Sequence, residues 1–506
     1  MKKYFGIVAL AFTLLACNKV ATDIQPVETP TSEPGSEIIT ITAKLGPKTK
    51  AGDTKAVADN GDGKITVSWE VDEHLAILYE AGGVKKMADA RITEVDAVTG
   101  SATIVFAVEG AENDTPCTIV YPLTAAKDDY TGVQDAATLL AVQDGTLNAN
   151  LDVRVGEGTI QTTEPGLSVT IQPAAQFAIF QFALLNSTGT TAINTNLLTV
   201  TIGENDYTII PAEPTYVLYA ALPAVTGEKV SFDAVNSENK TYLFASPSVT
   251  FTAGKYYQST LRMREYVAMG DGLKWAVCNV GAENPWDYGD YFAWGATEPY
   301  YAEGHSQDNP CSDWKDGKTG YDWASYPFMQ EGKSGSWYIT KYTFADGRTD
   351  AIWYNAKGEF IGDGKTEFAD YDFEDDAARV NWGGTWRMPT KEEWKTLLDY
   401  TKFTLEWTVD YLGDESNHAG RIVTSKILGY EGNQIFLPAA GYRYISGLNH
   451  AGSQGSYWSS TLFTDDDLFG SDDDTGGAYR MFFNYSYSIW YDVSRHYGSS
   501  VRPVTE

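Results

Sequence analysis

The chain has 506 residues, 43% of them hydrophobic, and carries a formal net charge of −31 at pH 7. A chain this long predicts about two or three domains with cores of their own. The charge excludes nucleic acid as a partner, because phosphate binding needs basic patches, and it disfavours docking on anionic lipid headgroups; a solubilising acidic surface is the plain reading.

Lys2 and Lys3 precede an apolar run from Phe5 to Leu15, broken only by Gly6 and Thr13. A run of about eleven residues suits a signal peptide and is too short to span a bilayer as a helix. It ends in Leu14-Leu15-Ala16-Cys17, which resembles the lipobox of bacterial lipoproteins, although Leu15 is bulkier than that pattern prefers. The resemblance implies removal of residues 1–16 and attachment of fatty-acyl (palmitate) chains at Cys17. That would hold the protein on the outer membrane at the cell surface through its lipid alone. Residues 17–36, rich in Pro, Thr and Glu, read as a flexible tether. No later segment reaches 18 consecutive apolar residues, so no spanning helix is expected.

Residues 37–262 read as strands. Ile65, Val67, Trp69 and Val71 alternate with Thr66, Ser68 and Glu70, and Ala102, Ile104, Phe106 and Val108 repeat the spacing. Asn60-Gly61-Asp62-Gly63 and Glu109 to Asp114 supply turns. Period-2 patterning at this density predicts β-sandwich structure. The segment ITVSWEVDEHLAILY (from Ile65), the Val120-Tyr121-Pro122 triplet and the closing FTAGKYYQSTL (Phe251 to Leu261) resemble the fimbrillin family of surface pilus subunits. That resemblance implies two β-sandwich units, at 37–145 and 146–264, and assembly with other pilus subunits by donor-strand exchange: a protease removes the first strand and a partner's strand replaces it through main-chain hydrogen bonds. Lys50 is the expected processing point, with Lys48 and Lys55 beside it.

Composition then changes. Only Trp69 of the 14 tryptophans precedes residue 270, and residues 265–506 are rich in Trp, Tyr, Gly and Asp. Thr390 to Glu393 forms a capping box, with Trp394, Leu397 and Leu398 on one helical face, so a short amphipathic helix is expected in an otherwise loop-and-strand unit. The motifs NWGGTWRMP (Asn381 to Pro389), IFLPAAGYRY (Ile435 to Tyr444), GSYWSS (Gly455 to Ser460) and SSVRPV (Ser499 to Val504) resemble, in order, the C-type-lectin-like domains of exported bacterial proteins. Formylglycine-generating enzymes and retroelement-diversified variable proteins are akin to these. The resemblance implies an α+β domain over 265–506 on a mainly β stalk, with Trp382, Gly383, Gly384, Trp386, Arg387, Met388, Pro389, Gly441, Tyr457, Trp458, Val501, Arg502 and Pro503 as scaffold.

Three functions compete for that domain. An oxidase like the formylglycine-generating relatives would need paired cysteine thiolates late in the chain, and no Cys follows Cys311; no enzymatic role and no catalytic residue are expected. Cys278 and Cys311 could bond to each other in an exported protein. Calcium needs six to eight oxygens, which Asp465–Asp467 and Asp472–Asp474 could help supply, but the sugar-coordinating signatures of animal lectins are missing. The five dispersed His give no zinc spacing, so no cofactor is expected. The favoured reading is recognition of a host or bacterial surface protein, or a glycan, through an aromatic edge. In NYSYSIWYDVSRHY (Asn484 to Tyr497), Tyr485, Tyr487, Ile489 and Tyr491 share one face if the stretch is a strand. Tyr and Ser combine rigid contact area with adaptable hydrogen bonding. The resemblance also implies that this stretch is where diversified relatives vary. The expected ligand-binding set is therefore Tyr444, Tyr485, Tyr487, Ile489, Tyr491, Asp492, Ser494, His496 and Tyr497. The whole reads as a surface adhesin, a pilus-tip subunit whose bulky second half leaves no free donor strand; the rival is a stand-alone carbohydrate-binding lipoprotein.

Overall fold

The computed structural model of the chain describes residues 38–47, 57–59, 65–167, 170–301, 314–315, 317–331, 337–343, 355, 357–359, 362–413, 417–464 and 476–506. Cys17, Lys48, Lys50, Lys55, Cys311 and the runs Asp465–Asp467 and Asp472–Asp474 lie outside them. The chain is mainly β, as its patterning predicts.

In the strand Ile38–Leu45, alternate residues Ile41, Ala43 and Leu45 are buried, and the strand pairs antiparallel with Ala102–Glu109 along its whole length. It is the edge of a sheet that continues through Val84–Val95, His74–Ala81, Thr115–Tyr121, Arg154–Gln161 and Gly166–Leu167. The sheet curls until its ends approach: Leu45 bridges Ile171, and the Gly46 N–H donates to the Ile171 carbonyl at 2.7 Å. Inside the curl, Trp69 lies edge-on to Tyr121 at 5.1 Å and donates its indole N–H to the Gly46 carbonyl. His74–Ala81 is buried on both faces. Leu75, Ile77 and Tyr79 point into the curl, while Ala76 and Leu78 join Phe180, Phe182, Leu198 and Phe232 in a second core. That is why these residues read as an apolar run without alternation.

The second core lies between two layers. Phe177–Leu185 pairs antiparallel with Val217–Pro223 and parallel with Tyr256–Arg262. Against it packs a sheet ordered Val142–Gln143, Asn205–Ile209, Thr195–Ile202, Val225–Asn236, Thr241–Phe251, Arg264–Ala268, Lys274–Ala276 and Val504–Thr505. Strands from both sides of 145/146 and of 264/265 thus share sheets: Arg154–Gln161 extends the first, and the strands from Arg264 onward extend the second.

Beyond Tyr291 a five-stranded sheet runs Tyr291–Phe292, Ser499–Ser500, Gln454–Leu462, Gly477–Asn484 and Ser488–Ser494. The expected capping box forms: Thr390 caps the helix Lys391–Leu397 and Glu393 reaches back. Arg387 holds both Glu393 oxygens, at 2.8 and 2.6 Å. A second helix, Ala377–Trp382, is capped by Asp376, which accepts from the N–H groups of Ala378 and Arg379. Trp275, Trp394, Tyr457, Met481 and Phe483 fill the core on one face of the five-stranded sheet, and Trp294, Trp458, Met388 and Ala478 the core on the other. Three of the buried indoles donate to backbone carbonyls, Trp294 to that of Ser459, Trp394 to that of Trp458 and Trp458 to that of Phe292. This rigid platform carries the last hairpin of the chain.

Candidate ligand-binding surface

Gly477–Asn484 and Ser488–Ser494 form an antiparallel hairpin in which Arg480 faces Tyr491 and Phe482 faces Ile489. Two-residue hairpin loops usually need positive φ and hence glycine. Tyr485 and Ser486 are not among the positive-φ residues. Asn484 makes the turn instead: its side-chain oxygen accepts from the N–H groups of Ser486 and Tyr487 at 2.8 and 3.1 Å. Tyr485 therefore sits at a turn tip, not on a strand face as the alternation predicts. It is 75% exposed, and Tyr487, Ile489 and Tyr491 are 50%, 44% and 47% exposed. Four large residues held out in water along one hairpin need an explanation that core packing does not provide.

Trp490 points the other way, against Tyr479 at 5.7 Å and under the ammonium groups of Lys391 and Lys395. By strand alternation Asp492 and Ser494 share that opposite side, paired with Tyr479 and Gly477. The expected set is thus divided: Asp492 and Ser494, both half-buried, are not on the face of Ile489 and Tyr491.

The remaining members form a second aromatic group beside the first. Tyr444, 41% exposed, lies 4.7 Å from Tyr497, which stacks on Tyr442 at 5.8 Å. His496 touches Tyr497, Tyr444 and Trp323 but is itself buried. Burial pulls its imidazole down to about 4, so it is neutral at physiological pH and serves as a packing group beneath the surface. Arg480 joins the two groups: its guanidinium carbon lies 5.6 Å from the rings of both Tyr442 and Tyr491 and 5.2 Å from Phe482. Sequence reasoning missed Tyr442, Phe482, Arg480 and Trp323. Tyr442 alternates with Tyr444 in a quoted motif and could have been found; the others enter through cross-strand register and chain reversal, which leave no local signal.

The other candidate chemistries find less. Among the described residues no three His, Cys, Asp or Glu side chains gather as a metal would require. Cys278 is a free thiol donating to the Glu283 carbonyl. Burial pushes that thiol up to about 12, opposite to the activation a nucleophile or thiolate ligand needs. Asp375 accepts hydrogen bonds from Lys341 and Tyr342, and Asp376 from three backbone N–H groups, those of Ala378, Arg379 and Met388.

No protein-family model matches the chain, and no curated protein matches it. Solved structures with some likeness include a fimbrial assembly protein from Parabacteroides distasonis, at 15% identity over 46% of this chain and 96% of that one, with a TM-score of 0.27. A tip fimbrial protein from Porphyromonas gingivalis shares 10% over 45% of this chain and 98% of its own, with a TM-score of 0.23. A fimbrial protein from Bacteroides ovatus shares 8% over 92% of this chain and 98% of its own, with a TM-score of 0.25. Overlaps this slight leave the function to be read from the chain's own residues.

Proposed function

We propose that this chain is a lipid-anchored cell-surface adhesin, a subunit of a pilus tip, that meets a protein or glycan ligand through the last hairpin of a C-type-lectin-like second half. The observation that carries the reading is the row Tyr485, Tyr487, Ile489 and Tyr491, exposed on a hairpin whose base is locked into two aromatic cores. Rigid tyrosines with two rotatable bonds lose little entropy on contact, which suits them to recognition. Export and anchoring rest on the run before Cys17. Pilus assembly rests on the fimbrillin-like motifs and is supported by the strand Ile38–Leu45: it is a sheet edge, precedes Lys50, and is held by a regular main-chain ladder that another strand could reproduce.

The test uses the full chain, because Thr241–Phe251 and Arg264–Ala268 share one sheet and the halves have not been separated. Wild type and a Tyr485→Ala, Tyr487→Ala, Tyr491→Ala variant are screened against glycan and surface-protein panels. Hits lost in the variant while its circular dichroism is retained support the reading; hits unchanged by the variant overturn it. Labelling purified fimbriae decides the tip assignment: signal along the shaft removes it, and signal only on cell bodies favours the stand-alone lipoprotein.

A further inference from the structure

Arg480 is 7% exposed, yet among the described residues no ion pair to a carboxylate satisfies its charge. Its Nη1 donates to the Ser456 hydroxyl at 2.8 Å, its Nε is enclosed with no partner, and its Nη2, which is not among the enclosed atoms, donates to no acceptor among the described residues. Asp492, its neighbour across one residue of the adjoining strand, acts on it only at longer range. Buried guanidinium groups normally meet carboxylates or several carbonyls, because an unpaired buried charge is costly. Two other buried arginines of this half find oxygens, Arg502 at the Asn279 side chain and the Ala276 carbonyl and Arg495 at the carbonyls of Lys341 and Tyr342, although each keeps one enclosed nitrogen without a partner, and Arg443 keeps two against the buried rings of Tyr291 and Tyr301. Arg480 instead lies directly beneath the surface rings of Tyr442, Phe482 and Tyr491, at the junction of the two aromatic groups.

We infer that Arg480 is the floor of an anion subsite, and that the ligand is a sugar bearing a single carboxylate, its ring lying against Tyr442 and Tyr491 and its carboxylate reaching the guanidinium. This rests on the proposed role of the hairpin and names its ligand class. A sugar fits better than a bare anion because three aromatic rings, those of Tyr442, Phe482 and Tyr491, lie at 5.6, 5.2 and 5.6 Å from the cation. A single carboxylate fits better than a polyanion because the molecule as a whole carries a net charge of −31. Surface charges act only within about 8 Å at physiological salt, so one anionic group can be paired locally while a polysulfated or polyphosphate chain would meet repulsion along its length.

The full chain is titrated with methyl β-glucuronide and with methyl β-glucoside, which differ only in the carboxylate, by saturation-transfer NMR and calorimetry. The glucuronide should bind roughly tenfold more tightly or better, the factor expected of a charge-assisted hydrogen bond. Arg480→Gln should abolish that preference, and Tyr491→Ala, at an exposed position, should weaken the glucuronide without unfolding the protein. The wild-type comparison stands even if Arg480→Gln fails to fold. Equal affinity for the two glycosides, binding of neither, or binding of acidic peptides while the glucuronide is inert overturns the inference. Neutral glycan hits that depend on the three hairpin tyrosines would leave the adhesin reading intact while removing this one.

Discussion

Gly384 gives the sharpest test of how the second half of the chain is seated on the strand Thr241–Phe251. It follows the helix Ala377–Trp382, has a φ of +60°, and a Cβ added there would lie 2.5 Å from the Ala245 carbonyl oxygen and 3.1 Å from the Ala245 Cβ. Ala245 belongs to the strand Thr241–Phe251, so this is a backbone-to-backbone approach with no flexible side chain to yield. Gly384→Ala should cost about 1 kcal/mol for the left-handed backbone and about 1–3 kcal/mol more for the displacement, together about 2–4 kcal/mol. Gly429→Ala is the control: its φ is +87° and a Cβ would meet nothing within 4 Å. It should cost only the conformational part, on the order of 1 kcal/mol. Urea unfolding followed by tryptophan fluorescence suits the comparison, because 13 of the 14 tryptophans follow residue 270 and report on the second half. Adding Ala245→Gly to Gly384→Ala should restore part of the loss, since it removes the Cβ but not the oxygen. If Gly384→Ala and Gly429→Ala lower the midpoint equally, the close approach of loop and strand is refuted.

Two buried titrating groups should tilt stability in opposite directions with pH. His496, held near 4 by burial against an ordinary 6.5, makes the folded state less stable as pH falls from about 6.5 to 4, by up to about 3 kcal/mol, and His496→Gln should flatten that limb of the urea-midpoint profile. Asp376, which burial raises from 3.8 to about 6, works the other way: its folded form holds the proton more tightly, so its contribution falls as pH rises through that window and is removed in Asp376→Asn. If both variants keep the wild-type profile, the burial of these two groups is wrongly described. The thiols of Cys278 and Cys117, pushed up to about 12 and about 11 by burial, should resist iodoacetamide at pH 8 until urea unfolds the chain; prompt native labelling of either, read by peptide mass, would contradict their enclosure.

Much of the fold was legible where local chemistry dictates it. Alternation at Ala102–Glu109 marks a strand with one wet face, and the Thr390–Glu393 capping box marks a helix, because both patterns are set within a few residues. The helix Ala377–Trp382 escaped because six residues carry too little periodicity. Tyr487, Ile489 and Tyr491 were legible as an exposed row from their period-2 spacing. The turn at Tyr485 was hidden because Asn484 makes it without glycine, and the alternation ran unbroken through it. The split of Asp492 from Tyr491 also follows from alternation and was available in the sequence. The place of Arg480 was not: it depends on which strand lies opposite Tyr491, and on a separate hairpin, Tyr442–Tyr444 with Gly447–Asn449, bringing Tyr442 alongside. The continuous sheet from Thr241–Phe251 to Val504–Thr505 was equally invisible, since Val504 meets Trp275 only through long-range closure.

In the proposed function the hairpin tyrosines are the contact with the world outside the cell. The direct measurement is adherence: cells displaying the full chain are compared with cells displaying a Tyr485→Ser, Tyr487→Ser, Tyr491→Ser variant at equal surface density, on a substratum to which the wild type adheres. The account predicts that adherence falls to the level of cells lacking the protein. Adherence equal to wild type at matched density would contradict it.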